Sequence, residues 1–254
     1  MKNTLFFTGI IVFLLSSFGE GRDQFPGLSL PVDPVIQSMV DSVSADSLEA
    51  YVRRLEGFYT RRVLTDSHKL AGQWIAQKYS DWNYPVEYDS VWVDSTYYNY
   101  TLSKWYEIGL RGFAQNIIAP VKGTVDSQSI YIYGGHYDSY GESIDPTFGS
   151  LYLPAPGAED NASGTACVME CARLFKDKTW ESSLKFIGFG SEELGYSSAH
   201  HYAMQAYLKG WDIKGMVGFD LVGSDASFLN QVVNSAWGNV SDELIEVYST
   251  VASV

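Results

Sequence analysis

From residue 129 onward, short apolar runs alternate with amphipathic stretches of helical period, and that alternation restricts the chain to an α/β architecture. Strands are expected over residues 129–133, 184–189 and 216–221, with helices over 162–175 and 197–207 between them. Upstream, Leu48, Tyr51, Val52 and Leu55 form a helical stripe that starts near Asp46 and stops at Gly57. Asp46 and Glu49 stand there as a capping-box-like pair. A second helix is expected over residues 67–79, with Leu70, Ala71, Trp74 and Ile75 on one face. His68 falls in its first turn and reads as a surface or capping residue. Residues 86–118 turn to β, and their middle stretch has the polar face of edge strands. The expected fold is therefore an α/β three-layer sandwich, its mixed and mostly parallel central sheet flanked by helices.

A chain of 254 residues can bury one large core, so residues 35–254 are read as one domain, preceded by a Pro- and Gly-punctuated lead-in over 22–34. Residues 1–21 read as a secretory signal. Lys2 precedes an apolar run over residues 5–15, and Ser16, Ser17, Gly19 and Gly21 supply small residues for cleavage. Eleven apolar residues fall short of the about 20 that span a bilayer, so no stable membrane insertion is expected after cleavage. The mature chain is expected to be secreted or periplasmic, where disulfides are allowed. The only cysteines, Cys167 and Cys171, lie four apart in an expected helix and read as buried thiols. A net charge of −13, from 17 basic and 30 acidic residues, argues against a nucleic-acid partner.

Four segments place acidic or imidazole side chains where strands should end: GGHYDS (134–139), GAEDNASG (157–164), GSEELG (190–195) and GFDLVG (218–223). Ligands of open α/β sheets bind at such ends. His136 and Asp138 are separated by one residue, and Asp138 suits a supporting role beside a ligand histidine. Asp160 lies in a Gly- and Ala-rich turn, where a carboxylate either caps the following helix or bridges two cations. Glu192 and Glu193 are adjacent, and in an extended segment they would point to opposite sides and divide labour. Asp220 sits in an apolar run, where an acid is costly to bury unless paired or bound to metal.

Together these segments resemble the co-catalytic di-zinc exopeptidases, a family that includes bacterial leucyl aminopeptidases and has glutaminyl cyclase and the transferrin receptor ectodomain as relatives. The resemblance covers roughly residues 48–221. It implies that His136 and Asp220 bind one zinc, that Asp160 bridges two, that Glu193 binds the second, and that Glu192 is the general base. It also implies a cis peptide between Asp160 and Asn161, and hydrolysis of peptides with a free N-terminus by a metal-activated water.

The pattern departs from that family in two places. The second zinc's usual further histidine lies beyond the position of Asp220, and residues 221–254 contain no histidine. Residues 241–254 read as a helix with no closing strand after it, so the chain is expected to be C-terminally shortened. His200 and His201 belong to a helix that carries them away from the metals. The segment between His136 and Asp160 holds Tyr140, Phe148, Leu151, Tyr152, Leu153, Pro154 and Pro156, either a substrate pocket wall or a loop packed on its own domain. The leading reading is a zinc aminopeptidase. The single-zinc cyclase and a non-catalytic binding homologue are the rivals, and DLVG suits the cyclase while Asn161 and the EELG segment suit the peptidase.

Overall fold

Ten helices and strands are described in the computed structural model, which covers residues 33–99, 104–141 and 154–223. The expected signal segment, the 241–254 helix and the middle of the aromatic loop lie outside the described residues. The unit Ala45–Ser224 carries every candidate site residue. A separate unit contains helix α1 (Pro34–Asp41), a helix the sequence reading does not anticipate. Its start signal is local: Asp33 accepts hydrogen bonds from the amides of Val35 and Ile36, and Pro34 takes the first helical position.

Within the larger unit, helix α2 (Ala45–Glu56) follows the expected stripe, burying Tyr51 and Leu55. Glu49 is not a capping partner there; its carboxylate accepts from Arg53 Nε at 2.7 Å, one turn later. Helix α3 (Asp66–Asp81) is capped by Thr65, whose hydroxyl accepts from the His68 amide at 3.1 Å. The His68 side chain is buried, which corrects the surface reading.

Five strands follow: β1 (Glu87–Asn99), β2 (Lys104–Val121), β3 (Asp126–His136), β4 (Ser182–Phe189) and β5 (Asp212–Gly218). The remaining helices are α4 (Gly164–Phe175), between β3 and β4, and α5 (Ser197–Lys209), between β4 and β5. The sheet order is β1-β2-β4-β3-β5. β2 is antiparallel to both β1 and β4, while β3 is parallel to β4 and β5. Only β2 therefore runs against the other strands, and the sheet is mixed with one prevailing direction.

Strand alternation sends side chains to both faces, and both faces are covered. On one face Ile118, Ile130, Ile132, Ile187 and Phe189 pack with Tyr202 of α5. On the other, Phe186 lies at the centre of an aromatic cluster. Its ring centroid is 5.8 Å from Tyr84, 5.2 Å from Tyr133 and 5.7 Å from Phe175 of α4. Aromatic pairs at such separations add to area burial. Truncating this fully buried ring leaves a cavity that the sheet cannot collapse into. Phe186→Ala is expected to destabilise the fold by about 3–5 kcal/mol, read from urea melts of the two proteins.

Candidate metal centre

Because β3, β4 and β5 are parallel neighbours, their carboxyl ends open onto one edge of the sheet. Pairing continues one residue past β3 and past β5. The Tyr137 amide donates to the Phe189 carbonyl at 2.9 Å, and the Phe219 amide to the Gly134 carbonyl at 2.8 Å. His136, the Glu192–Glu193 turn and Asp220 are thereby delivered to the same place.

His136 is 5% exposed and its Nε2 faces a ring of acids. Asp160 Oδ1 lies at 3.1 Å, Asp220 Oδ1 at 3.6 Å and Glu192 Oε2 at 4.0 Å. Donor atoms of His136, Asp160 and Asp220 lie within 4.8 Å of one another, as do those of His136, Glu192 and Glu193. All six residues singled out in the sequence thus converge, with Asp138 behind the ring. Asp160 and Asp220 are 53% and 56% exposed, so the argument from a buried acid at Asp220 does not hold. The strand ends at Gly218, Phe219 is buried, and Asp220 turns outward to the mouth of the site.

Asp138 is fully buried, and three groups meet its two oxygens. Oδ1 accepts the Glu192 amide and Oδ2 the Glu193 amide, each at 3.0 Å. Oδ1 also lies 3.3 Å from His136 Nδ1. The same Nδ1 lies 3.3 Å from the Asp138 main-chain carbonyl, so Asp138 orients the imidazole through both groups while its carboxylate holds the Glu192–Glu193 turn. That turn is not extended, and both glutamates reach the cluster instead of pointing to opposite sides. It closes through a 2.7 Å hydrogen bond from the Tyr196 amide to the Glu192 carbonyl, with Tyr196 at φ 59°.

Asp160 arrives on a wide turn, Ala158–Ser163, that leads into α4, and its peptide bond to Asn161 is cis. Asp160 is not a helix cap: α4 begins at Gly164, and Asn161 Oδ1 accepts the Gly164 amide at 2.8 Å. The Asn161 side-chain nitrogen donates to the Phe219 carbonyl at 2.9 Å. That one amide ties the Asp160 turn to the residue before Asp220. Gly164 is required at this junction because a Cβ there would collide with the Phe219 carbonyl and the Asn161 side chain. Thr165 Oγ1 completes the brace by donating to the His136 carbonyl at 2.7 Å.

The electrostatics are those of a crowded anionic pocket. Burial opposes charge on His136, yet Asp138, Asp160 and Asp220 outweigh it and push the imidazolium up to about 12. Burial, reinforced by Asp138, Asp160 and Glu192, raises Glu193 to about 8. Glu192 is also raised, first by burial, with His136 opposing and Asp138, Asp220 and Asp160 adding to the rise. Burial would raise Asp138 too, but the hydrogen bond from His136 holds it below the usual carboxylate range. Acids raised toward neutrality around one imidazole suit a bound cation, since a divalent charge offsets the repulsion among them. One imidazole with several carboxylate oxygens is a donor set that zinc accepts.

His200 and His201 lie on α5 outside the cluster, and His201 Nε2 is 3.3 Å from Asp89 on β1. Cys167 and Cys171 are free thiols on α4, with burial raising both. Sequence reading missed His68. Its Nε2 meets the Gly190 carbonyl at 2.8 Å and its ring stacks on Tyr137 at 4.8 Å, bracing the start of the Glu192–Glu193 turn. The partners lie far away in the chain, so no local pattern reveals them.

An α/β sandwich with an imidazole and carboxylates gathered beyond its parallel strands offers a metal site at the carboxyl edge of the sheet. The family model of peptidase family M28 matches residues 116–253, over half of the chain, and the chain belongs to that family. A probable zinc metalloprotease of Leptosphaeria maculans is 31% identical over 196 residues, covering 74% of this chain and 44% of that protein. Aminopeptidase YwaD of Bacillus subtilis is 31% identical over 130 residues, covering 51% of this chain and 24% of that protein. The chain spans less than half the length of these curated relatives. The solved glutaminyl cyclase of Bacteroides thetaiotaomicron superposes with a TM-score of 0.54 at 20% identity, covering 72% of this chain and 64% of that one. That likeness shows the fold. Zinc, expected from the sequence, is the metal that the family supports.

Two outcomes follow for metal binding. Asp138→Asn removes the charge beside His136 and one acceptor of the Glu192–Glu193 amides, and is expected to weaken zinc by about 10–100-fold in a chelator competition assay. His136 and Glu193 both have raised values, so the metal-free fold is favoured by their protons and loses that stability as pH rises. For Glu193 the loss runs from its ordinary value up to about 8, and for His136 from about 6.5 up to about 12. Zinc displaces those protons, so the zinc-induced rise in melting temperature should grow between pH 6 and 8. Thermal melts with and without zinc across that range check the sign.

Proposed function

We propose that this chain is the catalytic part of an exported zinc aminopeptidase that removes residues from the free N-termini of peptides. The observation that carries the reading is the convergence of Asp160, Asp220 and Glu192 on His136 Nε2, within a chain of peptidase family M28. Likeness to aminopeptidase YwaD supports the exopeptidase class. The Lys2 start and the apolar run over residues 5–15 support export.

His136, Asp160 and Asp220 would hold one ion, and Asp160 with Glu193 the second. When bound, zinc supplies a Lewis acid that polarises a peptide carbonyl and makes water a nucleophile near neutral pH. The remaining chemistry belongs to side chains. Glu192 is pinned by its amide to Asp138 while its carboxylate stays partly exposed at the mouth, placed to take a proton from the attacking water. Its raised value moves it toward the operating pH, so the same carboxyl can return the proton to the departing amine. Asp138 touches no substrate and acts by orientation.

Glu192→Gln keeps the backbone amide and the bulk of the side chain but removes the proton acceptor. It should lower kcat on an amino-acid anilide by about 10²–10⁴-fold with zinc content unchanged. Acetylating the substrate amine should abolish cleavage. Undiminished turnover by the variant, or equal cleavage of the acetylated substrate, would contradict the proposal. Cyclisation of an N-terminal glutamine without hydrolysis would assign the site to the cyclase reaction instead.

A further inference from the structure

Arg61 lies between α2 and α3 with no exposed surface, and its guanidinium is spread over four backbone carbonyls. Nε donates to Tyr137 at 2.7 Å, Nη1 to Leu55 at 3.0 Å and also to Pro156, and Nη2 to Gly157 at 2.8 Å. Its main chain repeats the link. The Arg61 amide donates to Ser139 Oγ at 2.9 Å, and that hydroxyl donates to the Ala155 carbonyl at 2.7 Å. The Ala155 amide returns to the Tyr59 carbonyl at 2.8 Å. Segment 59–61 is thus a splint between the exit of β3 and segment 155–157, whose Ala155 bridges Thr60.

The two splinted segments carry the facing ligands. Tyr137 directly follows His136, and Gly157 precedes the turn that presents Asp160, whose oxygen lies 3.1 Å from His136 Nε2. Gly157 adopts φ 50°, and a Cβ there would fall 2.9 Å from Arg61 Nη2 and 2.7 Å from Ser139 Cβ. The guanidinium therefore presses on bare backbone. Burying a cation among carbonyls is costly, and a residue needed only to fill space would be apolar. Burial lowers Arg61 to about 10, with Asp138, Asp160 and Glu193 opposing the fall. A planar fork reaches carbonyls in several directions at fixed angles, which a lysine ammonium does not.

We propose that Arg61 is a positioning residue of the metal centre: by clamping the carbonyls of Tyr137, Pro156 and Gly157 it sets Asp160 at ligand distance from His136. The proposal rests on the reading of His136 and Asp160 as zinc ligands. It predicts a defect in the site at a distance from any contact between Arg61 and metal or substrate.

The test compares the full chain with Arg61→Lys, Ser139→Ala and Asp160→Asn, measuring zinc affinity by chelator competition, melting in EDTA, and kcat and KM on an amino-acid anilide. Arg61→Lys should lose about 10–100-fold in zinc affinity, the effect of removing a ligand's support. Saturating zinc should restore its kcat, and KM should stay near that of the parent. A purely structural arginine would lower the EDTA melt and leave zinc affinity unchanged, and that result would overturn the proposal. Should Arg61→Lys fail to fold, Ser139→Ala decides: weaker zinc supports the splint, and unchanged zinc refutes it. If Asp160→Asn itself binds zinc as the parent does, the ligand reading has failed rather than the role of Arg61.

Discussion

The carboxylate of Asp138 is the interaction on which the site depends. It is fully buried, away from bulk solvent, so its charge must be met by protein groups. Two main-chain amides and one imidazole meet it, and they belong to the two segments that carry Glu192 with Glu193 and His136. An amide held at 3.0 Å fixes the backbone of Glu192 and Glu193, and the side chains can then reach the site only from a narrow range of directions. Pre-organisation of this kind is what a metal centre requires before metal arrives.

The other half of the site is braced by different chemistry. Asn161, Gly164 and Thr165 lock the start of α4 against β5 and the His136 carbonyl through neutral hydrogen bonds and a close backbone approach. Between these braces, acids accumulate faster than cations. Burial first, and the neighbouring carboxylates after it, raise Glu192 and Glu193, while Asp138, Asp160 and Asp220 raise His136 against its burial. A divalent cation held there would take the place of the His136 proton and offset the carboxylate charges together.

Much of this was legible in the sequence because strand periodicity and the strand-end rule are local. His136, Glu192, Glu193 and Asp220 fall where apolar runs stop, and parallel pairing brings such ends together; Asp160 does not, since it comes in on the turn before α4 and not at a strand end. What was not legible depends on partners distant in the chain. His68 read as a surface residue because nothing within its helix announces Gly190, 122 positions away. Arg61 carried no signal at all, since its partners are carbonyls, which every residue offers. Asp220 was expected to be buried because its neighbours are apolar, yet the strand ends two residues earlier and frees its side chain. Glu192 and Glu193 were expected to diverge as in a strand, and the hold of Asp138 on both amides bends them into a turn instead.

Anomalous diffraction at the zinc absorption edge, from crystals of the zinc-loaded protein, tests the account most directly. A peak about 2.0–2.2 Å from His136 Nε2 and from oxygens of Asp160 and Asp220, with the Asp138 hydrogen bonds to Glu192 and Glu193 unchanged, is the predicted result. Zinc held elsewhere, such as between His201 and Asp89, with the His136 cluster empty, would contradict it.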